Sequence, residues 1–435
     1  MSDQVPRPIL TTAAIRATEQ AAIDSGTPVE ALIERAGAAL AQAVERFVPP
    51  RETLILCGPG NNGADGRVAA RYLADAGFAV RIATLDSLAD ADPAPIVIDC
   101  LFGTGLKRGL EVAVAQQLSR LIDLAHVAIA CDLPNGVSSD DGSLLSPVGT
   151  YDLTVAFGAL KPAHRLMPAM AHMGRVVLAD IGLAAASDWF EIGAPTFEPL
   201  DPAAHKYSRG LVHCLAGSMP GAIALAAHAA ARTGAGYVRV STSRSIDGLP
   251  AAIVQTDTAQ INDPRIGAIL VGPGLGDIPQ VLTLALTAAR PVVIDADAIG
   301  LVGEPERLIG HDAILTPHEG EFVRLFGEIG GSKADRALAA AARSRSVIVY
   351  KGPDTLVAAP DGRLAFAPPA PAWLATAGSG DVLAGMIAAL RAQGRAAFEA
   401  ACDAVWLHGR AAELAGPGMI ADDLVAAIPR VIAEL

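Results

Sequence analysis

Residues 53–57 (TLILC), 58–66 (GPGNNGADG) and 67–77 (RVAARYLADAG) predict, in that order, a buried strand, a glycine-rich turn and a helix. The same alternation of short Val, Ile and Leu runs with Ala-rich segments of helical length continues to the C-terminus. Repeated strand–helix–strand units form parallel sheets whose right-handed crossovers cover both faces. We therefore predict an α/β fold.

The alternation breaks once, at residues 183–206 (LAAASDWFEIGAPTFEPLDPAAHK), which contain three prolines and no sustained period. We predict a first domain at 1–190, a linker at 191–204 and a second domain at 205–435. Neither half repeats the other, so these are two unlike three-layer domains. The predicted strands are TLILC, FAVRIAT, PIVIDC, HVAIACDL, LTVAFG and GRVVLADIG in the first half, then LVHCLAG, YVRVST, AILVGPG, PVVIDADA, AILTPHEGEF and VIVYKGPDT.

The composition excludes several classes of function. Among 435 residues, 33 Lys and Arg face 46 Asp and Glu, which gives a formal net charge of -13. A polyanion or an anionic membrane would be repelled at long range, so we predict no nucleic-acid or membrane partner. Any phosphate-bearing ligand must then be held mostly by backbone amides and helix N-termini.

The five cysteines are widely spaced, without a CxxC pair or zinc-ligand spacing. We expect reduced, buried thiols in a cytoplasmic protein. The first twenty residues lack a basic region followed by an apolar stretch, so they do not form a secretory signal. Gly, Pro, His and Asp interrupt every apolar run before it reaches the roughly 20 residues of a membrane span.

The turn at 58–66 alone predicts either a ligand site or a structural strand-to-helix connection, because its spacing departs from GxGxxG. Two later turns, 99–109 (DCLFGTGLKRG) and 131–136 (CDLPNG), also follow predicted strands. Ligands bind at this edge of open α/β sheets, so the three turns jointly predict a site. A cation would suit the oxygens of Asn62, Asp99 and Asn135, and Asp132 could exchange a proton with substrate.

These three turns, over roughly residues 10–183, resemble NAD(P)H-hydrate epimerase, which interconverts the R and S forms of the hydrated nicotinamide cofactor. The resemblance implies a Rossmann-like sheet and a potassium ion near Asn62, Asp99 and Asn135. It also implies that the hydrated dinucleotide contacts Asn61, Asn62, Gly63, Ala64, Asp65, Gly103, Thr104, Gly105, Leu106, Lys107, Arg108, Gly109 and the catalytic Asp132.

Two residues depart from the family pattern. The family usually has Gly at the position of Ala64 and Ser at the position of Asn135. Ala64 adds a methyl group that would crowd the ligand, above all if the position needs a positive φ. Asn135 keeps a carbonyl oxygen for the cation and tolerates turn geometry, so we expect it to replace the serine.

The second half carries a different glycine-rich turn, 376–381 (TAGSGD), ahead of the predicted helix DVLAGMIAALRAQG. Its successive amides can hold the negative charge of a transferring phosphoryl group, and Asp381 lies where a base is needed. The turns 351–355 (KGPDT) and 272–276 (GPGLG) also follow strands, although each alone favours a simple loop over a binding site. Walker A is absent. A lone His318 in TPHEGEF does not predict zinc.

Residues 205–435, with AGSMPGAIALAAHAAARTGAG, GPGLG, DADA, TPHEGEF, KGPDT and TAGSGDVLAG in order, resemble the nucleotide-dependent NAD(P)H-hydrate dehydratases of the ribokinase-like superfamily. The resemblance implies that Ala222, Gly276, His318 and the catalytic Asp381 face the hydrate. It implies nucleotide contacts from Lys351, Gly352, Pro353, Asp354, Thr355 and Gly380. One chain with both halves resembles a fused bacterial repair enzyme, which implies ADP as cosubstrate and a homo-oligomer, and magnesium is expected on the nucleotide.

Two alternatives remain at this stage. The chain could be a ribokinase-like kinase for a vitamin alcohol, fused to a sensing domain, because its glycine-rich turn and base would look the same. The N-terminal half could also be a non-catalytic scaffold or an RNA-binding module. The three polar turns of the first half oppose both alternatives, and the net acidity opposes RNA binding.

Overall fold

The computed structural model describes residues 6–435 and contains two compact units, Arg7–Trp189 and Phe190–Leu435. The N-terminal unit has a six-stranded sheet in the order β3-β2-β4-β5-β6-β7, and its paired strands are all parallel. Its elements are β1 (Arg7–Pro8), α1 (Thr12–Asp24), α2 (Val29–Phe47), β2 (Glu52–Cys57), α3 (Asn61–Asp75), β3 (Ala79–Thr84), β4 (Ile96–Cys100), α4 (Val112–Leu124), β5 (Val127–Cys131), β6 (Leu153–Phe157) and β7 (Arg175–Ala179).

Alternate residues of the central strands point to opposite faces of this sheet, and each face is buried by helices. Ile55 of β2 packs in one apolar cluster with Leu40 of α2 and Leu73 of α3. Leu54 of β2 packs in another with Leu121 of α4. The unit therefore has three layers, helices, sheet and helix, which confirms the predicted α/β class.

The short strand β8 (Trp189–Glu191) lies at the boundary of the two units. The strands that follow are β9 (Leu211–Leu215), β10 (Tyr237–Ser241), β11 (Ile253–Thr256), β12 (Ile266–Val271), β13 (Val292–Ile294), β14 (Ala313–Leu315), β15 (Val347–Tyr350), β16 (Leu356–Ala358) and β17 (Leu364–Phe366). The helices are α5 (Pro220–Arg232), α6 (Pro279–Thr287), α7 (Asp297–Val302), α8 (Glu319–Phe326), α9 (Lys333–Ser344), α10 (Ser379–Ala392), α11 (Ala397–Ala415) and α12 (Ala421–Ala433).

In the C-terminal unit these strands run in the order β17-β16-β15-β14-β13-β12-β9-β10-β11. The strands from β15 to β11 in that order pair in parallel, whereas β16 and β17 are antiparallel to their neighbours. Helix α10 is buried from Val382 to Arg391, which explains its nearly uninterrupted apolar sequence. The assignment of residues 191–204 as a linker stays a prediction.

Three details differ from the sequence expectations. Helix α3 begins at Asn61, so the predicted turn at 58–66 is mostly the first turns of that helix. Strand β5 ends at Cys131 rather than Leu133, because Asp132 adopts a left-handed φ of 67° that cannot continue a strand. The short strands β11, β16 and β17 were not predicted.

The five cysteines are buried and unpaired, as expected. No helix in residues 6–435 combines the length and the apolar character needed to cross a membrane.

Candidate active sites

The loops after β2, β4 and β5 border a cavity of about 660 Å³ in the N-terminal unit. The three strands are neighbours in the sheet, so their carboxyl ends bring the three predicted turns together. The residues that line the cavity include Asn61, Asn62, Asp65, Gly103, Thr104, Gly105, Leu106, Lys107, Arg108 and Asp132. The predicted contacts Gly63, Ala64 and Gly109 are not among those lining residues.

The glycines at the start of α3 are required by close packing. A Cβ on Gly63 would lie 1.9 Å from the carbonyl oxygen of Gly58, which no side chain could accommodate. Ala64 donates its N–H to the carbonyl oxygen of Gly60 at 3.1 Å as part of the helix. The Ala64 position therefore needs no positive φ, and its methyl group is compatible with the backbone.

Asp132 is fixed by two residues that follow β6. Its Oδ1 accepts a hydrogen bond from Nζ of Lys161 at 2.5 Å, and the Lys161 side chain is only 2% exposed. Nδ1 of His164 accepts from the Lys161 N–H at 2.8 Å. That leaves Nε2 of His164 to donate to the carbonyl oxygen of Asp132 at 2.7 Å. Burial lowers the pKa of His164 to about 3, so the ring is neutral and keeps this tautomer.

Two further carboxyl groups line the same cavity. Burial, together with the nearby carboxylates of Asp132 and Glu19, raises the pKa of Asp65 to about 8. Burial also raises the pKa of Glu19. At neutral pH the cavity therefore holds Asp65 mostly in its protonated form beside the ion pair of Asp132 and Lys161.

The residues expected to hold potassium form a buried polar group. Asp99 accepts hydrogen bonds from Nδ2 of Asn135 at 2.7 Å, the hydroxyl of Tyr151 at 2.5 Å and the N–H of Leu101 at 3.2 Å. Burial nevertheless raises the pKa of Asp99. Within residues 6–435, Oδ1 of Asn135 is buried without a hydrogen-bond partner, and the Cys131 thiol is the one donor to Oδ1 of Asn62. The amide oxygens of Asn62 and Asn135 therefore have unsatisfied hydrogen-bonding capacity, and such oxygens are suitable ligands for a hard monovalent cation.

The glycine-rich turn of the C-terminal unit forms the start of α10. Gly378 has a left-handed φ of 87° at the N-cap, and the first intrahelical bond runs from Val382 N to Gly378 O at 3.1 Å. The N–H groups of Gly380 and Asp381 thus lie in the first turn, where a helix offers them no acceptor. Burial raises the pKa of Asp381 to about 6, with the carboxylate of Asp295 adding to the effect.

Lys351 joins this turn to two acidic residues. Its Nζ lies 2.9 Å from Oδ1 of Asp295 and 3.9 Å from Oε2 of Glu321. Burial acts to lower the pKa of Lys351, but these carboxylates outweigh it and the pKa is raised. A Cβ on Gly380 would approach the same Nζ to 3.3 Å. The turns at 351–355 and 376–381, 25 residues apart in sequence, are therefore adjacent in the fold.

The turn at 272–276 has a backbone conformation that favours glycine at three positions. Gly272, Gly274 and Gly276 have positive φ values of 125°, 60° and 70°. The N–H of Gly276 donates to Oδ2 of Asp297 at 2.8 Å. A Cβ on Gly274 would lie 3.1 Å from Cβ of Ala222. The predicted contacts Ala222 and Gly276 therefore lie beside one turn.

His318 is the N-cap of α8, with Nδ1 accepting from the N–H of Gly320 at 3.0 Å. Its side chain remains 59% exposed, so the ring serves as a cap and is still accessible. In the predicted nucleotide turn, Thr355 Oγ1 donates to the Gly352 carbonyl at 2.8 Å. Lys333 Nζ lies 2.5 Å from Oδ1 of Asp354. Pro353 lies between Gly352 and Asp354 in the sequence.

Several residues of these clusters were missed by the sequence reasoning. Lys161 follows β6 and Asp295 follows β13, so the strand-end argument used for Asp132 could have found both. Glu19 and Glu321 lie inside helices α1 and α8, where no local pattern marks them. In residues 6–435 no group of three or more His, Cys, Asp and Glu side chains is arranged to hold a metal ion.

Comparison with known proteins decides the family. The model of a family described as NAD(P)H-hydrate dehydratase matches residues 212–430, and that of the YjeF-related protein N-terminus matches 29–94 and 83–163. A bifunctional NAD(P)H-hydrate repair enzyme of Salinibacter ruber is 32% identical, with 98% of this chain and 96% of that one covered. The chain belongs to the family of bifunctional NAD(P)H-hydrate repair enzymes.

Two solved structures are similar to part of this chain. A ribokinase-like superfamily protein of Enterococcus faecalis is 25% identical with a TM-score of 0.50, covering 54% of this chain and 91% of that one. An ADP/ATP-dependent NAD(P)H-hydrate dehydratase of Bacillus subtilis, co-crystallised with ATP and Mg²⁺, is 33% identical with a TM-score of 0.49, covering 55% and 94%. The predicted resemblance is confirmed for both halves, and family membership displaces the kinase-with-sensor and RNA-binding alternatives.

Proposed function

We propose that the chain restores hydrated nicotinamide cofactor in two steps, at two separate sites. The N-terminal unit interconverts the R and S forms of NAD(P)H hydrate. The C-terminal unit removes water from the S form, coupled to cleavage of ADP into AMP and phosphate. The observation that carries this proposal is that Asp132 and Asp381, the two predicted proton acceptors, each stand in a polar cluster of their own unit.

In the epimerase step, the hydrated ring enters the 660 Å³ cavity and its hydroxyl meets the carboxylate of Asp132. The glycine loop around Gly103 and Gly105 lets the main chain approach the dinucleotide, while Lys107 and Arg108 attract its phosphates. Asn62, Asp99 and Asn135 would hold a potassium ion, whose fixed positive charge would favour an anionic group of the ligand.

In the dehydratase step, Asp381 takes the proton of the ring hydroxyl while that oxygen attacks the terminal phosphoryl group of ADP. The bond between that phosphorus and the bridging oxygen breaks and AMP leaves. The bond between the ring carbon and that oxygen then breaks, and phosphate departs with the oxygen. The adjacent ring carbon gives up a proton to the departing phosphate, so that the carbon–carbon double bond re-forms. The N–H groups of Gly380 and Asp381 face the charge that develops on the phosphoryl oxygens.

Magnesium belongs to the same proposal. It keeps several waters and binds through few carboxylates together with substrate phosphates, so a dedicated protein cage is not required. Asp295 and Glu321, beside Lys351, would hold the hydrated ion, which would neutralise phosphate charge. The turn at 351–355 would bind the nucleotide. A cytoplasmic location and a homo-oligomer stay predictions that accompany this function.

The test supplies a racemic hydrate with ADP or ATP and follows the return of nicotinamide absorbance. The two-step proposal predicts recovery of all of the cofactor, because the R form is converted as the S form is consumed. Recovery of half would leave only a dehydratase. Release of a phosphorylated vitamin in place of cofactor would contradict the proposal altogether.

A further inference from the structure

Lys161 lies in the epimerase cavity without a role in the reaction as described so far. It follows β6, lines the cavity and is only 2% exposed. Its ammonium group donates to Oδ1 of Asp132 at 2.5 Å and to the carbonyl oxygen of Phe157 at 3.1 Å. Burying and ordering a lysine side chain is costly unless its ammonium group is paired. The two acceptors supply that pairing and hold the ammonium group in one position.

The contact with Lys161 makes the two oxygens of Asp132 unequal. Within residues 6–435, Oδ1 accepts from Lys161, whereas no group donates a hydrogen bond to Oδ2. The Asp132 side chain is 10% exposed and lines the cavity, so its free oxygen is available to a ligand there. Lys161 thus engages one oxygen and leaves the other for the ring hydroxyl.

The ring of His164 holds the main chains of Lys161 and Asp132 in a fixed relative position. The main chain of Lys161 and the carbonyl of Asp132 are bridged by the neutral imidazole of His164, at 2.8 Å and 2.7 Å. The bridge ties the segment after β6 to the left-handed residue after β5. The two side chains therefore approach from loops whose relative position is set by the His164 ring.

The charges around Asp132 show why an ammonium group is needed there. Asp65 of α3 and Glu19 of α1 line the same cavity, and burial, with a further contribution from the Asp132 carboxylate, raises the pKa of both side chains. His164 is uncharged, and Lys161 is the cation in direct contact. Without that cation, the carboxylate of Asp132 would be buried beside two other carboxyl groups with no compensating charge, which is strongly unfavourable.

We propose that Lys161 is the positioning residue of the epimerase site, holding Oδ1 of Asp132 so that its Oδ2 is directed to the ring hydroxyl. The inference rests on the proposed epimerase function. It assigns to Lys161 an effect on turnover rather than on substrate affinity, because its ammonium is already engaged by Asp132 and Phe157.

The test compares Lys161→Met, Lys161→Ala and Lys161→Arg in the full chain, with the exposed Lys206→Met as matched control. Conversion of the R hydrate is measured as kcat and KM. Dehydration of pure S hydrate in the same sample reports the amount of folded C-terminal unit, and thermal unfolding reports whether the N-terminal unit is folded. We expect kcat for the R form to fall roughly 10²-fold in Lys161→Met with KM little changed. Lys206→Met keeps the wild-type rate.

Rescue separates positioning from a merely structural ion pair. Lys161→Arg keeps a cation and is expected to retain more kcat than Lys161→Met. Ethylamine is expected to restore part of the kcat of Lys161→Ala and to leave the rate of Lys206→Met unchanged. Wild-type kcat in Lys161→Met overturns the proposal, as does an equal loss in all three variants that ethylamine leaves unchanged. If the wild-type chain itself recovers only half of a racemic hydrate, the proposed function fails instead.

Discussion

Gly380 and Lys351 meet at the start of α10: a Cβ on Gly380 would lie 3.3 Å from Nζ of Lys351. The ammonium cannot withdraw freely, because it is bonded to Asp295 at 2.9 Å. The absence of a side chain at residue 380 therefore lets a lysine of one turn reach the first helical turn of another. Both residues are predicted nucleotide contacts, and this contact joins them into one surface.

The variant Gly380→Ala tests this contact. The added methyl group must displace Nζ of Lys351 by a few tenths of an ångström, away from the position set by Asp295. We expect kcat/KM for ADP to fall roughly 10-fold, since small misplacements at a phosphoryl-transfer site are costly. Gly330→Ala, where a Cβ would meet nothing within 4 Å, is the matched control and should leave kcat/KM unchanged. Equal values for the two variants would contradict the role of the contact.

Asp381 should set the acid limb of the dehydratase pH profile. Burial and neighbouring carboxylates raise the pKa of Asp381 to about 6, so the base becomes protonated as the pH falls through that value. We expect kcat/KM for the S hydrate to decline below about pH 6. Asp381→Asn should fold normally and lose roughly 10²- to 10⁴-fold in turnover. Near-normal turnover of this variant would refute the role of Asp381.

Asp65 should make the N-terminal unit less stable as the pH rises. The ordinary pKa of an aspartate is 3.8, and burial raises that of Asp65 to about 8 in the fold. The folded state therefore binds more protons than the unfolded chain between these values, and the free energy of unfolding falls with increasing pH over that range. Asp65→Asn removes the contribution of this carboxyl group to the pH dependence of the free energy of unfolding.

The expected result is that Asp65→Asn raises the unfolding temperature of the full chain by an amount that grows from pH 5 to pH 8. Calorimetry of variant and wild type in parallel gives the difference directly. A difference that stays constant or shrinks over this range would show that Asp65 is not held in its protonated form.

Two buried cysteines leave no room for a side chain at Gly66. A Cβ on Gly66 would lie 2.8 Å from Cβ and 2.9 Å from Sγ of Cys100, and 3.0 Å from Sγ of Cys57. Gly66→Ala should therefore destabilise the fold by about 1–3 kcal/mol through overpacking. In the double variant Gly66→Ala with Cys100→Ala, the penalty should shrink because the nearest sulfur is gone. Additive effects of the two changes would contradict this explanation.

The positions of both proposed proton acceptors could be predicted from the sequence because each depends on a local pattern. Asp132 follows a strand of buried residues, and Asp381 follows closely spaced glycines. The roles of Lys161 and His164 could not be predicted from a local pattern, because they depend on contacts across 29 and 32 residues of chain. The strand-end pattern marks Lys161 as a candidate, but only the fold places it against Asp132.

The start of α3 shows where local propensity misleads. Gly63 and Gly66 are poor helix formers, so the sequence favoured a turn up to residue 66. Close contacts of these glycines with Gly58 and Cys100 explain their presence inside a helix that begins at Asn61. The short strands β16 and β17 were missed because three residues are too few to display a period of two.

The central claim is that one chain carries two independent sites, each with its own aspartate. Mixing two variant proteins tests it most directly, with racemic hydrate and ADP followed faster than the epimers interconvert without enzyme. Asp132→Asn alone should recover half of the cofactor and Asp381→Asn alone none, whereas the mixture should recover all of it. A mixture that stops at half, or an Asp132→Asn protein that cannot dehydrate the S form, would contradict the account.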